Sequence, residues 1–265
     1  MYSPLKLASK FLTYYLTAAN GKGHGVHSPF VFDFITNVLN DTRTFYAYTE
    51  IEKLRQSLRS DKTILTIEDF GAGSAVFKSD QRKVSDIARS SLKPVKFGQL
   101  MFRMVNYYHA NTVVELGTSL GVTTAYLAYG NLKSQVYTFE GAKQVAQVSL
   151  ENFKQLSLKN ITVVQGNFDT TLPPFLNTIS NINVAFVDGN HRKEPTLRYF
   201  EHLLTKVTEY SIFIFDDIHW SEEMEAAWKQ IQQHALVTLT IDLFFIGLVF
   251  FRKEQKVAQH FTIRF

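Results

Sequence analysis

"VVELGTSLGVTTAYLAYG", from Val113 to Gly130, decides the fold. "VVEL" reads as a strand, "GTSLG" as a tight turn, and "VTTAYLAY" as the start of an apolar helix. A loop that leaves a strand, turns tightly and enters a helix is the local form of a nucleotide- or nucleoside-binding turn. A second stretch, "TIEDFGAGSAV" from Thr66 to Val76, offers similar ingredients. The residues downstream of each loop separate the two. After Val113–Gly130 comes "QVYTFE", a strand pattern ending in Glu140, 19 residues beyond Gly121. An acidic strand end at about that distance can accept hydrogen bonds from a ribose diol. After the second stretch comes polar sequence with no strand that ends in an acid. Glu115–Gly121 is therefore the binding loop, and "EDFGAGS" (Glu68–Ser74) is expected to be a tight turn of the N-terminal region.

Beyond Asn111, short apolar runs alternate with helical patterns. The runs are "TVVEL", "QVYTFE", "ITVVQG", "NVAFVDG", "SIFIFDD", "ALVTLTIDL" and "GLVFF". Helix faces between them are marked by Ala142, Ala146, Leu150 and Phe153, by Leu197, Phe200, Leu204 and Val207, and by Met224, Trp228 and Ile231. Ser221 is the expected N-cap of the last of these. Strand–helix alternation predicts a parallel sheet covered on both faces. The last two runs have almost nothing between them and predict an antiparallel terminal hairpin. The expected fold class is α/β, a Rossmann-like, mostly parallel seven-stranded sheet with that hairpin. Residues 1–95 read as a mainly helical N-terminal extension or cap, and 96–265 as the binding domain. Within the extension, "LASKFLTYYLTAA" has apolar residues at helical spacing. "SPFVFDFITNVL" offers Ser28 as N-cap and Pro29 at the first helical position. A further helix is expected after Pro94, with Leu100, Val105 and Tyr108 as buried candidates.

"GTSLG" departs from the dinucleotide fingerprint G-x-G-x-x-G, whose central glycine admits a pyrophosphate. A ligand without phosphates fits the loop better. With "ELGTSLG", "YTFEG" and "VDGNH" at the end of the fourth strand, the sequence resembles the class I S-adenosylmethionine-dependent methyltransferases. "FDDIHW" after the fifth strand resembles small-molecule O-methyltransferases more narrowly. The resemblance covers roughly residues 90–250, and it implies S-adenosylmethionine as methyl donor and a small-molecule hydroxyl as acceptor. It implies cofactor contacts from Glu115, Gly117, Thr118, Ser119, Gly121, Glu140, Gly141, Asn167 and Asp188. Glu115 would meet the ammonium group or order the loop, Glu140 would bind the ribose, and Asn167 would contact adenine or serve as a turn residue.

Asp188 ends the fourth strand and Asp216–Asp217 the fifth. Carboxyl ends of neighbouring parallel strands line one crevice, and like charges gathered there repel unless protonated or neutralised by a cation. Asp188, Asp216 and Asp217 are thus candidate ligands for Mg2+, which prefers oxygen donors. In the plainer reading they cap helices or form turns. His191, three residues after Asp188, is the candidate general base, with Asp188 beside it as a second catalytic candidate. His219 is a further candidate base. Arg192 and Lys193 are expected near the pocket mouth. His24, His27 and "PFVFDF" are expected to pack against the core or to form a lid or dimer contact.

Composition narrows the classes. The 265 residues are 45% hydrophobic and 20% charged, an ordinary globular balance, with 23 Phe and 12 Tyr to fill a core. No cysteine is present, which excludes disulfides, iron–sulfur clusters and cysteine-built zinc sites and fits a reducing compartment. The net charge of +4 is spread without a basic block, which argues against nucleic acid as partner. The longest apolar stretch, "IDLFFIGLVFF", contains Asp242 and is too short to cross a bilayer. A cytoplasmic protein without a membrane partner is expected, and a homodimer through the N-terminal extension is the one assembly considered. The rival readings are an N-methyltransferase acting on RNA or protein, a nicotinamide oxidoreductase, and a non-catalytic scaffold that keeps the fold and its cofactor. The first lacks its usual strand-four motif and the second its glycine fingerprint.

Overall fold

The computed structural model describes residues 1–23, 26–67 and 81–265. His24 and the Glu68–Ser74 turn lie outside the described residues. In chain order the helices are α1 (Pro4–Thr17), α2 (Pro29–Phe34, continued by a π-helical turn, Ile35–Leu39), α3 (Tyr46–Ser60), α4 (Val84–Ser91), α5 (Val95–Tyr107), α6 (Val122–Gly130), α7 (Lys143–Gln155), α8 (Phe168–Leu176), α9 (Lys193–Leu204) and α10 (Glu222–Gln232). The strands are β1 (Ile64–Thr66), β2 (Gln81–Lys83), β3 (Thr112–Leu116), β4 (Gln135–Glu140), β5 (Ile161–Gln165), β6 (Val184–Val187), β7 (Ile212–Asp216), β8 (Leu239–Asp242), β9 (Ile246–Phe250) and β10 (Gln259–Thr262). The chain divides into two compact units, residues 1–41 with 178–265, and residues 42–177.

The second of these holds β3, β4 and β5, paired in parallel, with Glu115 opposite Thr138 and Glu140 opposite Gln165. Helix α5 packs along α6. Glycines make that contact close: a Cβ on Gly98 would lie 2.5 Å from the Tyr126 ring, and one on Gly130 2.7 Å from Val105. Tyr126 donates to Glu52 of α3 at 2.7 Å, and Arg55, 5% exposed, binds the same carboxylate at 2.9 Å. A short antiparallel hairpin, β1–β2, belongs to the same unit.

The first unit holds β6 and β7 in parallel, β9 antiparallel to both β7 and β8, and β10 parallel to β8. Strands β6, β7 and β9 are buried along their whole length, as their unbroken apolar sequence requires. The parallel strands and the terminal hairpin bear out the expected α/β layout. Strand β10 is an addition: leaving the β1–β2 hairpin aside, the described residues hold three strands (β3–β5) in one unit and five (β6–β10) in the other, against the expected seven. It escapes the apolar pattern because its residues alternate between half-buried and exposed. The expected helix after Pro94 forms, with Leu100 and Val105 buried, while Tyr108 lies past its end and half-buried.

Three helix faces also differ in detail. On α7, Ala146 and Phe153 are buried as expected, as is Ala142 just before it, but Leu150 is 45% exposed and Val145 and Ser149 are buried in addition. On α9 Phe200 is buried as expected, but Thr196, Tyr199 and Leu203 are buried with it in place of Leu197 and Leu204, which are half-buried. The spacing in α1 predicts one apolar face that includes Leu16, yet Leu16 is 69% exposed and Tyr14 carries the burial. Ser28 and Ser221 cap α2 and α10 as their sequence positions predict, accepting from Val31 N and Met224 N. Of the aromatic "PFVFDF", Phe30 and Phe34 pack against Phe250 at 5.0 and 6.1 Å, while Phe32 is 50% exposed and His27 is exposed.

Candidate functional site

Strand β3 delivers its carboxyl end to the loop Gly117–Gly121. The backbone N–H groups of Gly117 and Thr118 both donate to Phe139 O, at 3.0 and 3.1 Å. Gly121 N donates to Thr118 O at 2.9 Å, and Ser119 N donates to Glu140 Oε2 at 2.9 Å. Four loop amides are thus committed inside the protein, so they make no cradle for a phosphate. That agrees with the fingerprint's absence. Gly121 takes φ of +79°, and a Cβ there would sit 2.5 Å from the Phe153 ring, so only glycine fits. Ser119 also takes a left-handed φ of +49°, an uncommon choice for a serine, and its side chain is half-exposed at the loop's tip.

Glu140 is the loop's second anchor. Its two oxygens accept from Ser119 N and from Ala142 N, both at 2.9 Å. An ionised carboxylate has about four acceptor positions, so it can still receive a diol. Its half-buried place at the end of β4 leaves it open to a ligand. Gly141, next in sequence, is half-buried as well. Glu115 is fully buried, and its Oε2 accepts from Thr124 at 2.5 Å and Thr138 at 2.6 Å. Thr118 Oγ1 joins at 2.6 Å from Thr138 Oγ1. Of the two expected roles, these contacts serve loop ordering: one carboxylate oxygen ties β3, β4 and α6 together. Asn167 caps α8, its Oδ1 accepting from Asp169 N at 2.8 Å, the turn role allowed for it.

The first unit carries the acids and the imidazoles. Val187 and Phe215 are register partners in β6 and β7, so the residues next in the chain, Asp188 and Asp216, stand side by side at the strands' carboxyl ends. His191 Nε2 lies 3.5 Å from Asp188 Oδ1, and its Nδ1 lies 4.0 Å from Asp217 Oδ2. One ligand atom from each of Asp188, His191 and Asp216 lies within 4.8 Å of the others. Asp217 stands outside that trio. It takes φ of +53°, and its N–H donates to Phe245 O at 2.7 Å.

His219 has other business. Its Nε2 is 2.8 Å from Asp242 Oδ2, its Nδ1 is 3.0 Å from Glu225 Oε1, and its ring stacks on Phe244 at 5.2 Å. Burial pulls its pKa down, but the hydrogen bonds and charges of Asp242 and Glu225 outweigh this and raise it above the usual histidine value. Glu225 also receives Lys10 Nζ at 2.9 and 3.0 Å and Tyr2 OH at 2.8 Å. With both ring nitrogens engaged, His219 is a structural anchor and not the base. The sequence could not reveal this, because Asp242 and Lys10 are remote from it along the chain. Lys193 and Glu223 belong to a groove of about 560 Å3 along α9 and α10, lined also by Leu197, Phe200 and His234. None of the cofactor, metal or base candidates lines it.

Three comparisons bear on this geometry. Residues 114–218 match the family model described as a methyltransferase domain. The O-methyltransferase of Bacillus cereus, solved with S-adenosylhomocysteine, is 16% identical, with a TM-score of 0.57 over 80% of this chain and 93% of that one. TomG of Streptomyces achromogenes, an O-methyltransferase of tomaymycin synthesis, is 12% identical, with a TM-score of 0.56 over 80% and 92%. A curated relative, the protein-L-isoaspartate O-methyltransferase of Thermosipho melanesiensis, is 30% identical over 95 residues, 32% of this chain. The chain's match spans about half the length of that relative (48%). The chain shares its fold with these O-methyltransferase structures. Residues 114–218, which match the methyltransferase-domain model, hold β3 to β7 of that fold.

Proposed function

We propose that the protein transfers a methyl group from S-adenosylmethionine to a hydroxyl oxygen of a small molecule. The observation that carries this reading is the loop Gly117–Gly121 and its anchor. It has no amide cradle for phosphate, a glycine where a side chain cannot fit, and a half-open carboxylate, Glu140, suited to a ribose diol. The cofactor supplies an electrophilic methyl on a sulfonium. Ser119 and Gly117 offer the loop's half-buried surface to the amino-acid end, and Glu140 holds the ribose. Glu115 keeps that surface in place from beneath.

On the acceptor side, His191 takes the hydroxyl proton as the oxygen forms its bond to the methyl carbon, while the carbon–sulfur electron pair stays with sulfur. Asp188, 3.5 Å from Nε2, orients the imidazole, and Nδ1, 4.0 Å from Asp217 and beyond hydrogen-bond reach of it, is the nitrogen left to take the proton. Aligning the reactants is the larger part of the task. A screen of phenolic and aliphatic hydroxyl compounds with labelled S-adenosylmethionine tests the reading. Methyl transfer to oxygen is expected; transfer only to RNA or protein nitrogen, or none, would contradict it.

A second reading of the acids has its own support. Asp188, His191 and Asp216 fit a divalent cation, and the imidazole among them suits a first-row transition ion better than Mg2+. Such an ion would act as a Lewis acid on the acceptor's hydroxyl. His191 would then be a ligand rather than a base. Activity that survives a chelator and dies in His191→Ala supports the base; activity lost to chelator and restored by Mn2+ or Zn2+ supports the metal. The absence of cysteine supports a cytoplasmic site of action. Among the described residues, no helix is long and apolar enough to cross a membrane.

A further inference from the structure

The sequence holds a single asparagine followed by glycine, Asn20–Gly21, in the turn that leaves α1. At such a pair the glycine nitrogen can attack the asparagine side-chain amide, because no side chain on the glycine shields it. Asn20 and Lys22 are exposed to solvent. Among the described residues Gly21 N has no hydrogen-bond acceptor, so it is free to react.

The turn prepares both reacting groups. Gly23 N donates to Asn20 O at 3.0 Å, and Lys22 N donates to Asn20 Oδ1 at 2.9 Å. Asn20 O and Gly21 N belong to one peptide unit, so the donor on that oxygen stabilises the charge left when the nitrogen loses its proton. Asn20 Oδ1 is the atom that gains charge when Cγ is attacked, and Lys22 N already points at it. Donors fixed where charge develops lower a barrier.

We propose that Asn20 is a modification site, at which the folded chain converts asparagine to isoaspartate and aspartate with water as co-reactant. Gly21 N gives its proton to solvent and bonds to Asn20 Cγ, closing a succinimide ring. The Cγ–Nδ2 bond breaks, and Nδ2 takes a proton from solvent and leaves as ammonia. Water then opens the ring. Addition at Cγ leaves aspartate, and addition at the main-chain carbonyl leaves isoaspartate, whose main chain runs through Cγ.

The flanking contacts give the change a consequence. Ala19 N donates to Thr262 O at 2.8 Å, and Ala19 O accepts from Arg264 N at 3.1 Å. Gly21 O accepts from Asn40 Nδ2 at 2.6 Å, and a Cβ on Gly21 would collide with Arg264 O. Isoaspartate lengthens the main chain by one carbon between these two clamps, so both cannot hold. Aspartate keeps the length and keeps both. Isoaspartate therefore loosens the end of α1 from β10 as the protein ages. None of this depends on the methyl-transfer reading.

Peptide mapping by mass spectrometry tests the proposal, on the full chain held for days in mildly alkaline buffer. A parallel sample in guanidinium chloride reports the unfolded chain. Asn20 should convert at least as fast folded as unfolded, and faster than Asn177, which is also exposed. Resistance to cleavage before position 20 by an aspartate-specific protease marks the isoaspartate fraction. Isolated by chromatography, that fraction should melt below fresh protein, while Asn20→Asp should melt with it. A folded Asn20 that converts more slowly than the unfolded one, conversion no faster than at Asn177, or an isoaspartate fraction with the Tm of fresh protein would each overturn it.

Discussion

At Gly121 two constraints coincide: a left-handed φ of +79° and a Phe153 ring where a Cβ would stand. Gly121→Ala should therefore cost about 1–3 kcal/mol in urea denaturation, as overpacking does, and should weaken S-adenosylhomocysteine binding at the same time. An unaltered midpoint would show that the loop yields more easily than its contacts imply. His219 makes a different prediction, through protons. Its folded pKa is raised, so the stability it contributes is fully present below the unfolded value of about 6.5 and is lost as pH rises through the higher folded value. The Tm gap between wild type and His219→Gln should accordingly be widest in acid and should narrow as pH rises past that range. A gap that widened with pH would mean the imidazole is held neutral. The roles of Glu115 and Glu140 are half legible in the sequence: their strand-end positions can be read from spacing, but which oxygen serves the loop depends on Thr124, Thr138 and Ala142, whose directions no pattern encodes.

Among the elements, α1 depends on Glu225 of α10, where Lys10, Tyr2 and His219 converge. Removing that carboxylate leaves donors without their acceptor, a loss of order 1–3 kcal/mol. Glu225→Ala should lower Tm and speed tryptic cleavage at Lys6 and Lys10, while Glu222→Ala, whose side chain is 79% exposed, should change little. The α5–α6 contact is tested by Gly98→Ala, which must push Tyr126 from the glycine and from Glu52; a clear fall in Tm is expected by thermal denaturation. These contacts are not legible in the sequence. Periodicity marks a helix as amphipathic without saying which face meets what, and α1 is apolar on two. The core strands are legible for the opposite reason: β6, β7 and β9, buried end to end, leave unbroken apolar runs. "QRK" of β2 and "QHFT" of β10 are short and polar, so they carry no such signal.

At the scale of the whole molecule the chemistry is divided. The unit of residues 42–177 carries the loop Gly117–Gly121 and Glu140, and the other unit carries Asp188, His191 and Asp216. The account's central claim concerns the loop, and isothermal titration of S-adenosylhomocysteine into the full chain tests it most directly. Wild type should bind one equivalent, Glu140→Ala should bind at least about tenfold more weakly, a loss of about 1.4 kcal/mol, and NADH should give no heat. Folded wild type that ignores S-adenosylhomocysteine, or takes NADH in its place, would contradict the claim.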